Sequence, residues 1–113
     1  MGLIAEEPEI FVQIAAYRDP ELVPTVQDCI AKAAGPDRLT FGICWQHAAG
    51  ESIDPLLGDD RMRVIAVDAS RARGPCWARN QLQRLYDGEE YTLQIDSHHR
   101  FAEDWDEFLV DSL

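Results

Sequence analysis

Positive charge is what this sequence has least of. Ten Lys and Arg stand against twenty-one Asp and Glu, for a formal charge of −11. Non-specific nucleic-acid binding depends on cationic neutralisation of phosphates, so this balance argues against a nucleic-acid partner. It leaves open a nucleotide bound through a metal ion, because the ion supplies positive charge locally. Cysteine is also sparse. Cys29, Cys44 and Cys76 form no CxxC pair, and each lies in or beside an apolar segment, which predicts buried free thiols in a reducing compartment. No apolar run approaches the roughly 20 residues of a membrane-spanning helix. Residues 1–9 lack the basic start and apolar stretch of a signal peptide. The expectation is a cytoplasmic protein with no membrane partner. Internal repeats, a P-loop, a Ser-His-Asp triad and zinc-finger spacings are all missing.

What is present alternates between strand and helix. The 113 residues suffice for one domain, 1–113, with a modest core. Ile10-Phe11-Val12-Gln13-Ile14-Ala15-Ala16 is a nearly continuous apolar run, as expected of a strand covered on both faces. Leu22, Val26, Cys29, Ile30 and Ala33 then share a helical face, opened by Asp19 and Pro20 or, given Pro24, by a later start at Thr25 and Asp28. Residues 39–45 read as a second strand and 46–61 as a long polar loop. Residues 62–67 form a third strand ending at Asp68. Gly74-Pro75 leads into a helix with Ala78, Leu82, Leu85 and Tyr86 on one face and Gly88 as its cap. Residues 91–95 form a fourth strand. A last helix over 103–113 carries Trp105, Phe108 and Leu109. Its acidic residues 103–107 suit a helix N-terminus. Strands joined by helical crossovers imply a mostly parallel sheet in a three-layer α/β sandwich. Asp68 and Asp96 then lie on the same edge of that sheet.

Asp96-Ser97-His98 is the chemically richest segment. In an extended chain Asp96 and His98 face one side and His99 the other. A carboxylate with an imidazole suits Mn²⁺ or Zn²⁺ better than Ca²⁺. Alone, the motif reads better as a polar strand end with exposed side chains. Arg79, near the start of its helix, could grip a phosphate bidentately or pair with a surface acid. Trp45, Trp77 and Trp105 are expected to pack, and His47 to be solvated.

Four blocks in order resemble a known family: 10–22, Gly42-Ile43-Cys44-Trp45-Gln46, Gly74-Pro75-Cys76-Trp77-Ala78-Arg79, and Leu93-Gln94-Ile95-Asp96-Ser97-His98. They look like the GlcNAc-transferases that include enzymes modifying hydroxyproline on Skp1-type proteins. The span from Ala78-Arg79-Asn80 to Asp96-Ser97-His98 is also similar to the wider GT-A glycosyltransferases. The resemblance implies a GT-A fold, a UDP-sugar donor, UDP-GlcNAc first among them, and a hydroxyl acceptor on a protein or glycan. It implies Mn²⁺ or another divalent cation held by Asp96 and His98. It further implies nucleotide contacts from Tyr17, Arg18, Asp19, Asp68, Arg79 and Asp96. Asp19 could instead serve the turn into the first helix. The resemblance spans about residues 10–110 and only the nucleotide-binding half of such enzymes. The acceptor half and a later metal ligand have no counterpart before Leu113. The isolated chain is therefore expected to bind donor without transferring sugar, and either to self-associate through an uncovered sheet edge as a homo-oligomer or to be only marginally stable. The alternative is a non-catalytic nucleotide-sugar-binding module.

Overall fold

The computed structural model describes residues 8–112, and only the backbone of Pro75 and Cys76. Four strands form one parallel sheet: β1 (Ile10–Tyr17), β2 (Leu39–His47), β3 (Met62–Asp68) and β4 (Tyr91–Asp96). Helix α1 (Leu22–Lys32) joins β1 to β2, α2 (Pro75–Gln83) joins β3 to β4, and α3 (Trp105–Asp111) follows β4. The strand order is β3-β2-β1-β4. The chain moves outward from β1 to β3, then crosses back to the far side of β1. Right-handed crossovers in opposite directions put the connecting helices on opposite faces. The expected three-layer α/β sandwich is therefore the observed fold.

Alternation along the central strands assigns the two cores. Ile10, Val12, Ile14 and Ala16 of β1 and Leu39, Phe41 and Ile43 of β2 face α1 and α3, meeting Leu22, Val26, Cys29 and Trp105. On the other face Cys44 meets Ala78 and Leu82 of α2. Cys29 and Cys44 are buried free thiols, as expected. Burial, followed by Asp106 and Asp28, pushes the Cys29 thiol far above its ordinary value. The expectation for Cys76 concerns a side chain outside the described residues, as do residues 1–7. The tip of the Phe11 ring reaches Gly42 of β2, where an added Cβ would collide with its Cζ. That close approach explains a glycine inside a strand.

Several boundaries differ from the sequence reading. Pro24 is the third residue of α1, where a backbone N–H has no helical partner in any case, so the helix starts before it. Residues 48–61 are more than a polar loop: a 3-10 turn, Asp54–Leu56, helps seat Ile53 and Leu56 in the core. This segment replaces the missing helix between β2 and β3. Helix α2 ends at Gln83, so Gly88 is not its cap; its φ of +82° serves the turn into β4 instead. Tyr86 lies beyond the helix, edge-on to Phe11, with its hydroxyl donating to Glu89 O at 2.6 Å. Helix α3 starts two residues later than expected, after Asp104 in the left-handed region. Among the described residues no helix is long and apolar enough to cross a membrane.

Candidate functional site

The strand order reverses between β1 and β4. In open parallel sheets the crevice beyond the carboxyl ends at such a reversal is where ligands bind. Here it is a cleft of about 930 Å³, lined by Ala15 and Tyr17 of β1, Gln46 of β2, Gly74 and Arg79 of the α2 region, and Gln94, Asp96 and His99 of the β4 end, among others. Its floor follows from parity. Ala15, Gln46, Gln94 and Asp96 stand on the α2 side of the sheet, opposite the larger core. Gln46 is buried and donates from Nε2 to Ala16 O at 3.2 Å, which fixes the floor beside Tyr17.

The side chains facing this space are available for a ligand. Tyr17 is 57% exposed. Arg79 and Asp96 are exposed and make no side-chain hydrogen bond or ion pair among the described residues. Gly74, with φ +94°, precedes the first turn of α2 and brings that helix end to the cleft wall. The positive end of a helix favours anions.

The remaining candidates go elsewhere. Arg18, with φ +49°, turns away to Glu51 at 3.6 Å and lines a second, smaller cavity with Trp45 and Ile53. Asp68 is at the end of β3, with β2 and β1 between it and β4. Three spacings of about 4.8 Å separate it sideways from Asp96 by roughly 14 Å, and the register sets it three residues further along the strand direction. Its carboxylate accepts from Ser70 N at 2.9 Å and Ser70 Oγ at 2.7 Å, capping the turn that follows. These bonds hold its carboxyl below the usual range. The two strand-end carboxylates share an edge, as expected, but not a site.

Asp19, just beyond β1, joins the end of the neighbouring β4. Its Oδ1 accepts from Glu21 N at 2.9 Å, and its Oδ2 accepts from Ser97 Oγ at 2.5 Å and lies 3.1 Å from His98 Nδ1. Burial opposes ionisation of Asp19, but the Ser97 hydroxyl, the Glu21 N–H and His98 outweigh it and hold the carboxyl below the usual range.

Extended geometry stops at Asp96, and bends at Ser97 and His98 end the alternation. The expected arrangement of the two histidines changes accordingly. His98 turns toward Asp19, whereas His99 borders the cleft with Asp96, its ring 4.7 Å from that of Phe101. Among the described residues, no three His, Cys, Asp or Glu side chains cluster to enclose a cation. An unpaired carboxylate at the cleft and a nearby exposed imidazole suit an ion that completes its shell with phosphate oxygens and water.

Sequence reasoning offered Thr25 only as a possible helix start and passed over Gln46 and Gln94. Thr25 is a buried polar residue on an otherwise apolar helix face, and its partners become visible only in three dimensions. The tryptophans pack as expected. Trp105 is buried and donates from Nε1 to Cys29 O at 2.9 Å. His47 is half-buried and stacks on Trp45 at 4.0 Å rather than being solvated.

No curated protein and no solved structure matches the chain. A family model does match, described as Glycosyltransferase (GlcNAc), over residues 9–57 and 52–113, which is nearly the whole sequence. A parallel α/β sheet with a polar cleft at its strand-order reversal, matched to that model along almost its full length, belongs to the GlcNAc glycosyltransferase family.

Proposed function

We propose that this chain is the donor-binding part of a GT-A-type glycosyltransferase that takes UDP-GlcNAc with Mn²⁺ or a similar cation. The acceptor in this reading is a hydroxyl group, as on hydroxyproline in a protein. The observation that carries it is the cleft beyond β1 and β4, with the unpaired Arg79 guanidinium on α2 and the unpaired Asp96 carboxylate at the end of β4. A nucleotide diphosphate carries a base to stack, phosphates to bind and charge to neutralise. Tyr17 offers its ring to the base, and Arg79 its planar fork to a phosphate. Asp96 and His98 would hold the cation, which neutralises charge on the departing diphosphate.

Titration of UDP with and without Mn²⁺ tests the reading. Binding that strengthens with Mn²⁺ is expected. Absent binding, or equal binding in both conditions, overturns it.

A further inference from the structure

Residues 97, 98 and 99 are each tied to α1 or to the loop that leads into it. Thr25, fully buried, donates its hydroxyl to Ser97 O at 2.8 Å and accepts from His99 N at 3.0 Å. One side chain thus fixes the backbone on both sides of His98. The His98 ring is held separately, by Asp19 at 3.1 Å. Asp19 is anchored by Glu21 N and Ser97 Oγ, and its side chain is 17% exposed against 67% for His98. An ionised carboxylate can only accept, so the hydrogen in the Asp19–His98 contact belongs to Nδ1. In the neutral ring the lone pair then lies on Nε2.

We propose that Asp19 is a positioning residue: it holds His98 as the Nδ1–H tautomer and makes Nε2 the atom offered to a divalent cation. The inference rests on the cation reading above and gives Asp19 a role other than touching the nucleoside. A neutral imidazole free in water favours the opposite tautomer and turns about its side-chain bonds. Asp19 removes both freedoms before any ion arrives. A carboxylate bonded to the far nitrogen of a metal-binding imidazole orients the ring and raises its basicity. The topology supplies the juxtaposition. Asp19 and His98 are 79 residues apart, yet they follow adjacent parallel strands that end side by side.

The test uses the full chain labelled with ¹⁵N, metal-free, in alkaline buffer. Long-range ¹H–¹⁵N correlation reads which ring nitrogen of His98 carries the hydrogen. The Nδ1–H form is expected in the wild type. Asp19→Ala should shift the ring toward Nε2–H. Mn²⁺ alone is then titrated against each protein. Loss of the orienting carboxylate should weaken binding about 10- to 100-fold. Asp19→Asn keeps an acceptor for Glu21 N and so guards against loss of fold; it should weaken Mn²⁺ binding in the same direction. An Nε2–H wild type, or Nδ1–H persisting in Asp19→Ala, overturns Asp19's hold on the ring. A wild type in the Nδ1–H form that takes up no Mn²⁺, with or without UDP, overturns the cation role and traces the failure to the reading beneath it.

Discussion

Asp106 lies in an acidic stretch, 103–107, whose other carboxylates face solvent, yet its side chain is fully buried. It accepts from Ala34 N at 2.7 Å, Gly35 N at 2.9 Å and Arg38 Nη2 at 3.0 Å. Burial raises its carboxyl, but these donors outweigh it and hold the group below the usual carboxylate range. A depressed native value means that the stabilisation is present above the unfolded value, near 3.9, and is lost as pH falls through the native one. Asp106→Asn leaves Arg38 buried without its counter-charge and should cost about 3–5 kcal/mol at neutral pH. Urea midpoints measured against pH check this: the variant should be less stable at neutral pH and show a flatter acid limb. At the cleft, a guanidinium fork on a phosphate does what an ammonium cannot. Arg79→Ala should weaken Mn²⁺-UDP binding about 10- to 100-fold, and Arg79→Lys should recover only part of it. Calorimetric titration of both variants, with thermal midpoints unchanged from the wild type, separates lost contact from lost fold.

At the scale of elements, apolar runs announced all four strands; the central β1 and β2 are covered on both faces and carry few polar residues, whereas the outer β4 alternates between half-buried and exposed positions. The helices were equally visible as periodic faces. Their ends were not, since a cap or a bend depends on partners distant in sequence. Pro24 looked like an obstacle and costs nothing in the first turn of α1. Gly88 looked like a cap and serves a turn five residues beyond the end of α2. The candidate site was legible in part. Tyr17, Arg79 and Asp96 meet at one cleft, whereas Arg18 and Asp68 find closer partners. The places of His98 and His99 could not be read, because Thr25 and Asp19, rather than strand alternation, decide how the chain bends after Asp96. Gly42 tests the fit between elements. Gly42→Ala drives a methyl against the Phe11 ring between β1 and β2 and should destabilise by about 1–3 kcal/mol. Denaturant melts check it, and a paired Phe11→Leu should recover part of the loss.

For the whole molecule, β3 and β4 are the outer strands, each hydrogen-bonded on one side among the described residues. Beside β4 an apolar strip runs through Leu93, Ile95, Phe101 and Leu109 to Phe108, which is 70% exposed. Apolar association across such a strip competes with repulsion between chains of charge −11. Salt screens the repulsion, so self-association should rise with ionic strength, and Phe108→Glu should suppress it. Sedimentation at low and high salt reads both effects. The split of the site between β1 and β4 bears on how the protein becomes competent to bind. Thr25 and Ser97 are 72 residues apart, so the cleft closes only when the last strand finds the first. Long-range parallel pairing is slow, because loop-closure entropy is lost before contacts repay it. A nascent chain that has made β1 to β3 has most of a sheet and no cleft. A ligand that binds only the finished arrangement draws the β4 equilibrium toward docking. Amide exchange should therefore slow most in 91–96 when Mn²⁺ and UDP are added, more than in 39–47, making occupancy of the cleft a gauge of whether the final strand is home.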